Sequence, residues 1–317
     1  MRNVTFDIMK GLGIICMILG HIPIGGITQQ VIYSFHMPMF FFISGYFFSR
    51  KNTFLEFIRG KFLTILLPAF FSIGILLLYR VLAHLLIGTE LVLFSHIIGP
   101  LWFLFALFWG VVILYFITNF KSVKVRITIS LLVSLIGLFF SHYYLETHIN
   151  IQQGMVAVPF LIIGYELRQL LKSEKIHFII SDNFYKLLAI SSILWGLGIL
   201  FSHIDMKVND FGCFIFDIFS SLMGCFFIYH ISQKIQTNNY ISKSLSYIGR
   251  YSIVFLCMHY LEWYCDWYKN IQNIEYQQIT PPLYIVLQCF RGIITLVLSV
   301  FIINTPIGRI FYSIKKK

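Results

Sequence analysis

Lys10 and His21 stand eleven residues apart in FDIMKGLGIICMILGH, an apolar stretch where an ionisable side chain needs a reason. Charge at mid-bilayer costs on the order of 3 kcal/mol per residue, so such groups mark routes for substrates, ions or protons. At 100° per residue the interval returns to within about 20° of one helical face and rises about 16 Å. Asp7, three residues before Lys10, shares the stripe. The spacing therefore predicts a charged entrance and a deeper imidazole along one polar path; interfacial placement of all three is the competing explanation. A second imidazole, His36, opens the run FHMPMFFFISGYFF at 35–48. Pro38 removes a backbone donor there and can free a carbonyl beside His36. Because the intervening turn is short, His21 and His36 are expected to approach each other. In YSIVFLCMHYLEWYCDWY, Ser252, His259, Glu262 and Asp266 recur at spacings of seven, three and four, which is one helical face. Glu262 is placed to hold or polarise His259, and Asp217 and Arg291 are further buried-charge candidates that could pair. Arg59 and Lys61, in SRKNTFLEFIRGKFLTILLPAF, suit the phosphates of an anionic donor, although membrane topology alone also explains them.

These residues must be carried by membrane helices. With 58% apolar, 18% aromatic and 12% charged residues among 317, and a mean hydropathy of +0.81, the chain has too little charge for a water-facing surface. The long unbroken apolar runs speak against a β-barrel. An all-α integral membrane protein of about ten transmembrane helices is expected, with spans near 6–24, 29–48, 62–86, 98–118, 127–145, 153–171, 184–202, 211–231, 251–268 and 283–303. Nearly all lysines and arginines then fall on the side of the N-terminus, with Arg80, Lys207 and Lys269 opposite. By the positive-inside rule both termini are cytoplasmic, as expected for a multi-pass protein of a bacterial-type inner membrane. That asymmetry also accounts for the net charge of +11 without nucleic acid as a partner. The first stretch carries Asp7 and Lys10 and has no small-residue cleavage site, so it is expected to remain as a span. The whole of 1–317 is expected to be one membrane domain with no soluble domain. The six cysteines form no Cys-x-x-Cys pair or zinc spacing, so no metal is expected. Phosphate-loop, nucleophile-elbow and dinucleotide fingerprints are absent, which leaves polar groups inside the bilayer to perform any chemistry.

Read together, K-(x10)-H in the first span, FHMPMFFFISGYFF, R-x-K…LLP at the start of the third, GPLWFLFALFW at 99–109 and IGRYSIVFLCMH at 248–259 resemble acyltransferase family 3, in its fucose 4-O-acetylase-like branch. The resemblance runs along the whole chain in order. It implies a ten-helix O-acyltransferase that takes an acyl group, usually acetyl, from cytosolic acetyl-CoA or another acyl-CoA. The acceptor would be a hydroxyl of a cell-surface or lipid-linked carbohydrate. Lys10 and His21 match the family's hallmark basic residue and histidine, and Arg59 and Lys61 match residues associated with CoA. Lysine stands where arginine is common and lacks its bidentate fork. On this resemblance His21 is the expected base or transient acyl carrier. His36, His259 and Glu262 would orient the acceptor or steady the oxyanion, and Trp102 and Phe103 would offer a platform for pantetheine or sugar. Relatives with a fused extracytoplasmic hydrolase-like domain are not matched. A transporter or flippase of a glycan or small anion is the rival reading, and the internal repeat it would favour is not visible.

Overall fold

The computed structural model describes residues 3–21, 26–51, 53–88, 97–143, 149–172, 183–264 and 281–312. The chain runs α1 (Val4–Gly20), α2 (Gly26–Tyr33), α3 (His36–Tyr46), α4 (Phe54–Lys61), α5 (Leu67–Ile87), α6 (Trp102–Ile117) and α7 (Val123–Tyr143). It continues with α8 (Ile151–Val156), α9 (Val158–Leu170), α10 (Phe184–Phe201), α11 (Phe214–Ile235), α12 (Asn239–Arg250), α13 (Ser252–Tyr264), α14 (Pro281–Ile303) and α15 (Pro306–Phe311). A two-stranded hairpin, β1 (Ile204–Asp205) with β2 (Asp210–Phe211), links α10 to α11.

Among the described residues six helices are long and apolar enough to cross a membrane: Phe54–Ile87, Gly99–Ile117, Val123–Tyr143, Phe184–Phe201, Phe214–Ile235 and Val286–Ile303. The protein is thus an all-α multi-pass membrane protein in its dominant structure. The expected spans near 29–48 and 153–171 are broken helices. The first breaks at Ser34 and Phe35, the second at Ala157 just before Pro159. Between α4 and α5 the helix widens into a π turn, Phe62–Leu66, immediately ahead of Pro68, whose missing N–H ends the regular ladder.

Burial separates inner from outer helices. α6 is buried on nearly every side, whereas α10 presents most of its length outward, with Phe201, Leu200 and Ile193 exposed. Large apolar side chains left exposed on α5, α7, α10 and α14 suit hydrocarbon as their solvent. One inner cross-link that the sequence did not announce is Arg126, which donates from Nε and Nη2 to the Glu166 carboxylate at 2.5 and 2.8 Å. Its Nη1 donates to the Phe120 and Lys121 carbonyls, so a residue read only as a topology signal also ties α7 to α9.

The helix carrying His21 is held by an unusually close backbone crossing. A Cβ added at Gly249 would run into the Asp7 carbonyl, and one at Gly11 into the Leu245 carbonyl. Backbone cannot yield as a flexible side chain does, which is why small residues sit where membrane helices touch. Gly249→Val is expected to destabilise the protein by about 3 kcal/mol or more, the upper end of overpacking effects. Thermal unfolding in detergent checks this against Gly74→Val, since a Cβ at Gly74 meets nothing within 4 Å.

Candidate active site

The helix break before His36 gives the site its first fixed group. Phe35 leaves helical geometry with φ −135° and ψ −30°, and the His36 Nδ1–H donates to the Ile32 carbonyl at 2.7 Å. A carbonyl can only accept, so Nδ1 carries the proton and Nε2 is the basic atom of this ring. The carbonyl that the ring uses is Ile32's, exposed by the break at Phe35 and not by the missing N–H of Pro38. Tyr33 lies against the same imidazole, with ring centroids 5.5 Å apart.

His21 caps the end of α1 and lies with His36 on a cavity of about 90 Å³. The walls come from α1 (Ile14, Met17), α3 (Met37, Phe40), the entry to α6 (Pro100, Trp102, Phe103) and α13 (Ser252, Ile253, Leu256). Gly99, at φ 41°, takes a left-handed turn in which an added Cβ would strike the Tyr264 ring; it sets Pro100 and Trp102 against the cavity. Trp102 and Phe103 are buried, and Phe103 meets Phe40 and Phe41 edge-on or tilted at 5.6 and 5.1 Å.

Behind His21 stands a second layer. His259, 3% exposed, has its ring centroid 5.2 Å from that of His21, and Trp263 lies 5.2 Å from His21 and 6.0 Å from His259. Neither nitrogen of His259 completes a hydrogen bond among the described residues. Leaving a buried polar group unsatisfied costs about 1–3 kcal/mol, so an imidazole in that state beside another is a group kept for interaction with something else. Arg291 closes the cluster from α14, 4.8 Å above the Trp263 ring.

Two pairings expected from the sequence take a different form. Glu262 does not hold His259: its carboxylate accepts from Arg291 Nε at 2.6 Å, with the two side chains 1% and 3% exposed. Arg291 accordingly does not pair with Asp217, which instead accepts from the Cys213 N–H at 2.8 Å at the start of α11. A guanidinium buried in apolar surroundings binds the carboxylate one helix away, and α14 lies directly against α13. Asp266 lies outside the described residues.

The charged entrance also differs from expectation. Lys10 pairs with Asp7 at 2.9 Å, and neither lines the cavity. On α1 the wall is Ile14, Met17 and His21, which continues the Lys10 stripe at intervals of four, three and four but stops one turn short of it. The space beneath His21 is therefore walled by apolar side chains. Arg59 is exposed on the short α4, and Lys61 sits 5.6 Å from the Phe57 ring centroid; neither lines the cavity. Among the residues nominated from sequence, the structure gathers His21, His36, Trp102, Phe103 and Ser252 on one cavity, sets His259 and Glu262 behind it, and leaves Asp7, Lys10, Arg59 and Lys61 elsewhere.

The sequence reading missed a hairpin that reaches the cavity. The hairpin between α10 and α11 brings Asp205, Met206 and Lys207 to the cavity mouth. Gln153 Nε2 donates to the Lys207 carbonyl at 3.0 Å, and Asn209, held at φ 53°, donates to Ser141 Oγ at 2.7 Å. The available signal was Lys207 itself, one of the few basic residues that the expected topology separates from the rest.

Two proteins named Nodulation protein NolL are similar to the chain. The one from Mesorhizobium japonicum is 30% identical over 144 residues, 40% of this chain and 39% of the relative. The one from Sinorhizobium fredii is 30% identical over 123 residues, 33% of this chain and 34% of the relative. The chain thus matches well under half the length of either. No solved structure matches it. The acyltransferase domain profile of acyltransferase family 3 matches residues 3–304, nearly the whole chain, and the protein belongs to that family.

Proposed function

We propose that the protein transfers an acyl group, acetyl in the first instance, from acyl-CoA on the cytoplasmic side of a bacterial inner membrane to a hydroxyl of a cell-surface or lipid-linked carbohydrate. The observation that carries this reading is that His21 and His36 share one aromatic-walled cavity in a member of an acyltransferase family. Transfer requires the acceptor hydroxyl to lose its proton as its oxygen attacks the thioester carbonyl. The tetrahedral intermediate then collapses with cleavage of the C–S bond, and CoA leaves as its thiol after taking up a proton. His21 is assigned as the base. An acyl-imidazole on the same ring is the stepwise variant of this chemistry. His36, with Nδ1 held by Ile32, offers Nε2 to orient the acceptor. Arg291 above Trp263 and Lys207 at the mouth supply positive charge for the developing oxyanion. The cavity's size, a few water molecules' worth, favours a small acyl group over a long chain.

The charge asymmetry supports a cytoplasmic donor entering from the end of the bundle where residue 3 lies. Lys10, Arg59 and Lys61 are assigned to its phosphates at that end, while the apolar wall from Ile14 to His21 suits the pantetheine arm. Replacing both Arg59 and Lys61 by Ala is expected to raise the KM for acyl-CoA about tenfold or more with kcat little changed, as for the loss of charge-assisted phosphate contacts. A fall confined to kcat would count against phosphate binding. The reaction itself is tested with labelled acetyl-CoA and purified protein in proteoliposomes, together with mass spectrometry of surface glycans from cells with and without the protein. Transfer of label and loss of a glycan ester support the assignment; passage of an unmodified glycan without transfer would replace it with transport.

A further inference from the structure

A second and larger cavity, about 750 Å³, lies at the opposite end of α1 from His21 and shares no lining residue with the first. Its volume is within the range of true ligand sites, roughly 300–1,000 Å³. It opens among the start of α1, the ends of α3, α9 and α11, and the start of α10, whose outer face is exposed along most of its length. The body of the cavity is apolar and aromatic, formed by side chains such as Phe6, Phe42, Leu167, Met223 and Phe226. Among its polar lining groups α11 contributes His230, Gln233 and Lys234.

Two of these groups each keep one atom without a hydrogen-bond partner among the described residues. His230 is 3% exposed, and its Nδ1 is closed off without a hydrogen-bond partner, as is Oε1 of Gln233 one turn away. A hydroxyl entering between them would satisfy both. Lys234 Nζ donates to Tyr185 Oη at 3.1 Å and lies 4.9 Å above the Phe184 ring. Among the described residues no Asp or Glu lines the cavity.

We infer that this cavity binds one anionic, hydroxyl-bearing phospholipid from the adjoining leaflet, with an acyl chain among the aromatic side chains, the head-group hydroxyl between His230 and Gln233, and the phosphate at Lys234. An apolar slot beside a membrane-facing helix, with Lys234 in its lining, matches both halves of such a molecule. It is not a second station for the acceptor of the proposed reaction, which must reach His21 at the other end of the helix. The inference stands whether or not the acyl-transfer assignment does.

The test is native mass spectrometry of the full chain released from detergent, titrated with phosphatidylglycerol and with phosphatidylethanolamine of the same chains. One phosphatidylglycerol adduct is expected, held about tenfold more tightly than phosphatidylethanolamine. Lys234→Glu, on an exposed side chain, is expected to weaken it about thirtyfold, the effect of reversing one charge at the membrane surface. Met223→Trp, which fills the slot, is expected to remove the adduct; the unfolding temperature of both variants without lipid verifies that they fold. Equal binding of the two lipids, or wild-type binding by Lys234→Glu, would overturn the inference. Displacement of the adduct by millimolar inorganic phosphate would make it a free-anion site, and displacement by CoA would make it part of the donor route; either result overturns the lipid assignment.

Discussion

His21→Ala is expected to reduce kcat for acyl transfer by a factor of about 100 to 10,000, the usual contribution of a positioned general base, and by more if the ring also carries the acyl group. The unfolding temperature should stay near that of the parent. His21 comes after the last residue of α1 rather than in its interior, and its ring meets the His259 and Trp263 rings across 5.2 Å without being the hub of a buried ion pair. Truncation enlarges an existing cavity rather than opening a sealed core. The informative comparison is His36→Ala, which removes the Nδ1–H donated to Ile32 and should cost about 1 kcal/mol of stability along with any effect on rate. A His21→Ala protein that retains most of its activity with labelled acetyl-CoA would move the base to His36 or remove the imidazole mechanism. The product ester, measured by mass spectrometry, distinguishes true transfer from thioester hydrolysis.

What the sequence disclosed about this site follows from the range of the forces involved. Spacing along one helix is local, so the Lys10 to His21 stripe and the Ser252, His259, Glu262 face are legible from periodicity alone. His36 was legible too, because an imidazole opening an aromatic run is conspicuous, although the helix break just before it was not. Partner choice between helices is not local. Glu262 has His259 three residues before it and Arg291 twenty-nine after it, and nothing in the one-dimensional pattern says which it takes. Desolvation decides: an arginine buried to 2% requires a carboxylate, whereas a neutral imidazole can remain without one. The same limit hid the bond from Arg126 to Glu166 and the hairpin that brings Asp205 and Lys207 to the mouth. Two strands of two residues each leave almost no alternation to read. Helix length was the remaining weak point. Breaks at Phe35 and Ala157 turn apparent single spans into pairs of short helices, since a hydropathy profile registers apolar content but not the backbone turn within it.

Glu262→Ala is expected to destabilise the protein by about 3–5 kcal/mol, because it strands the Arg291 guanidinium in a site where the pair's side chains are 1% and 3% exposed. The converse change, Arg291→Ala, strands a carboxylate and should cost a similar amount, whereas replacing both by Leu removes the charges together and should recover much of the loss. Unfolding temperatures of the two single variants and the double variant in detergent measure that coupling. Activity then separates two roles that stability alone would merge. If the pair only braces α13 against α14, the stable double variant transfers acyl groups at nearly the parent rate. If Arg291 also answers the charge that develops near His21, the double variant folds but its kcat falls by a factor of about 100 to 1,000, the usual loss when one oxyanion donor is removed. The position of the guanidinium, stacked 4.8 Å over Trp263 while that indole lies 5.2 Å from His21, favours the second outcome. An electrostatic bolt without catalytic purpose would work as well farther from the imidazoles, where its buried charge would not act on the groups that must exchange a proton.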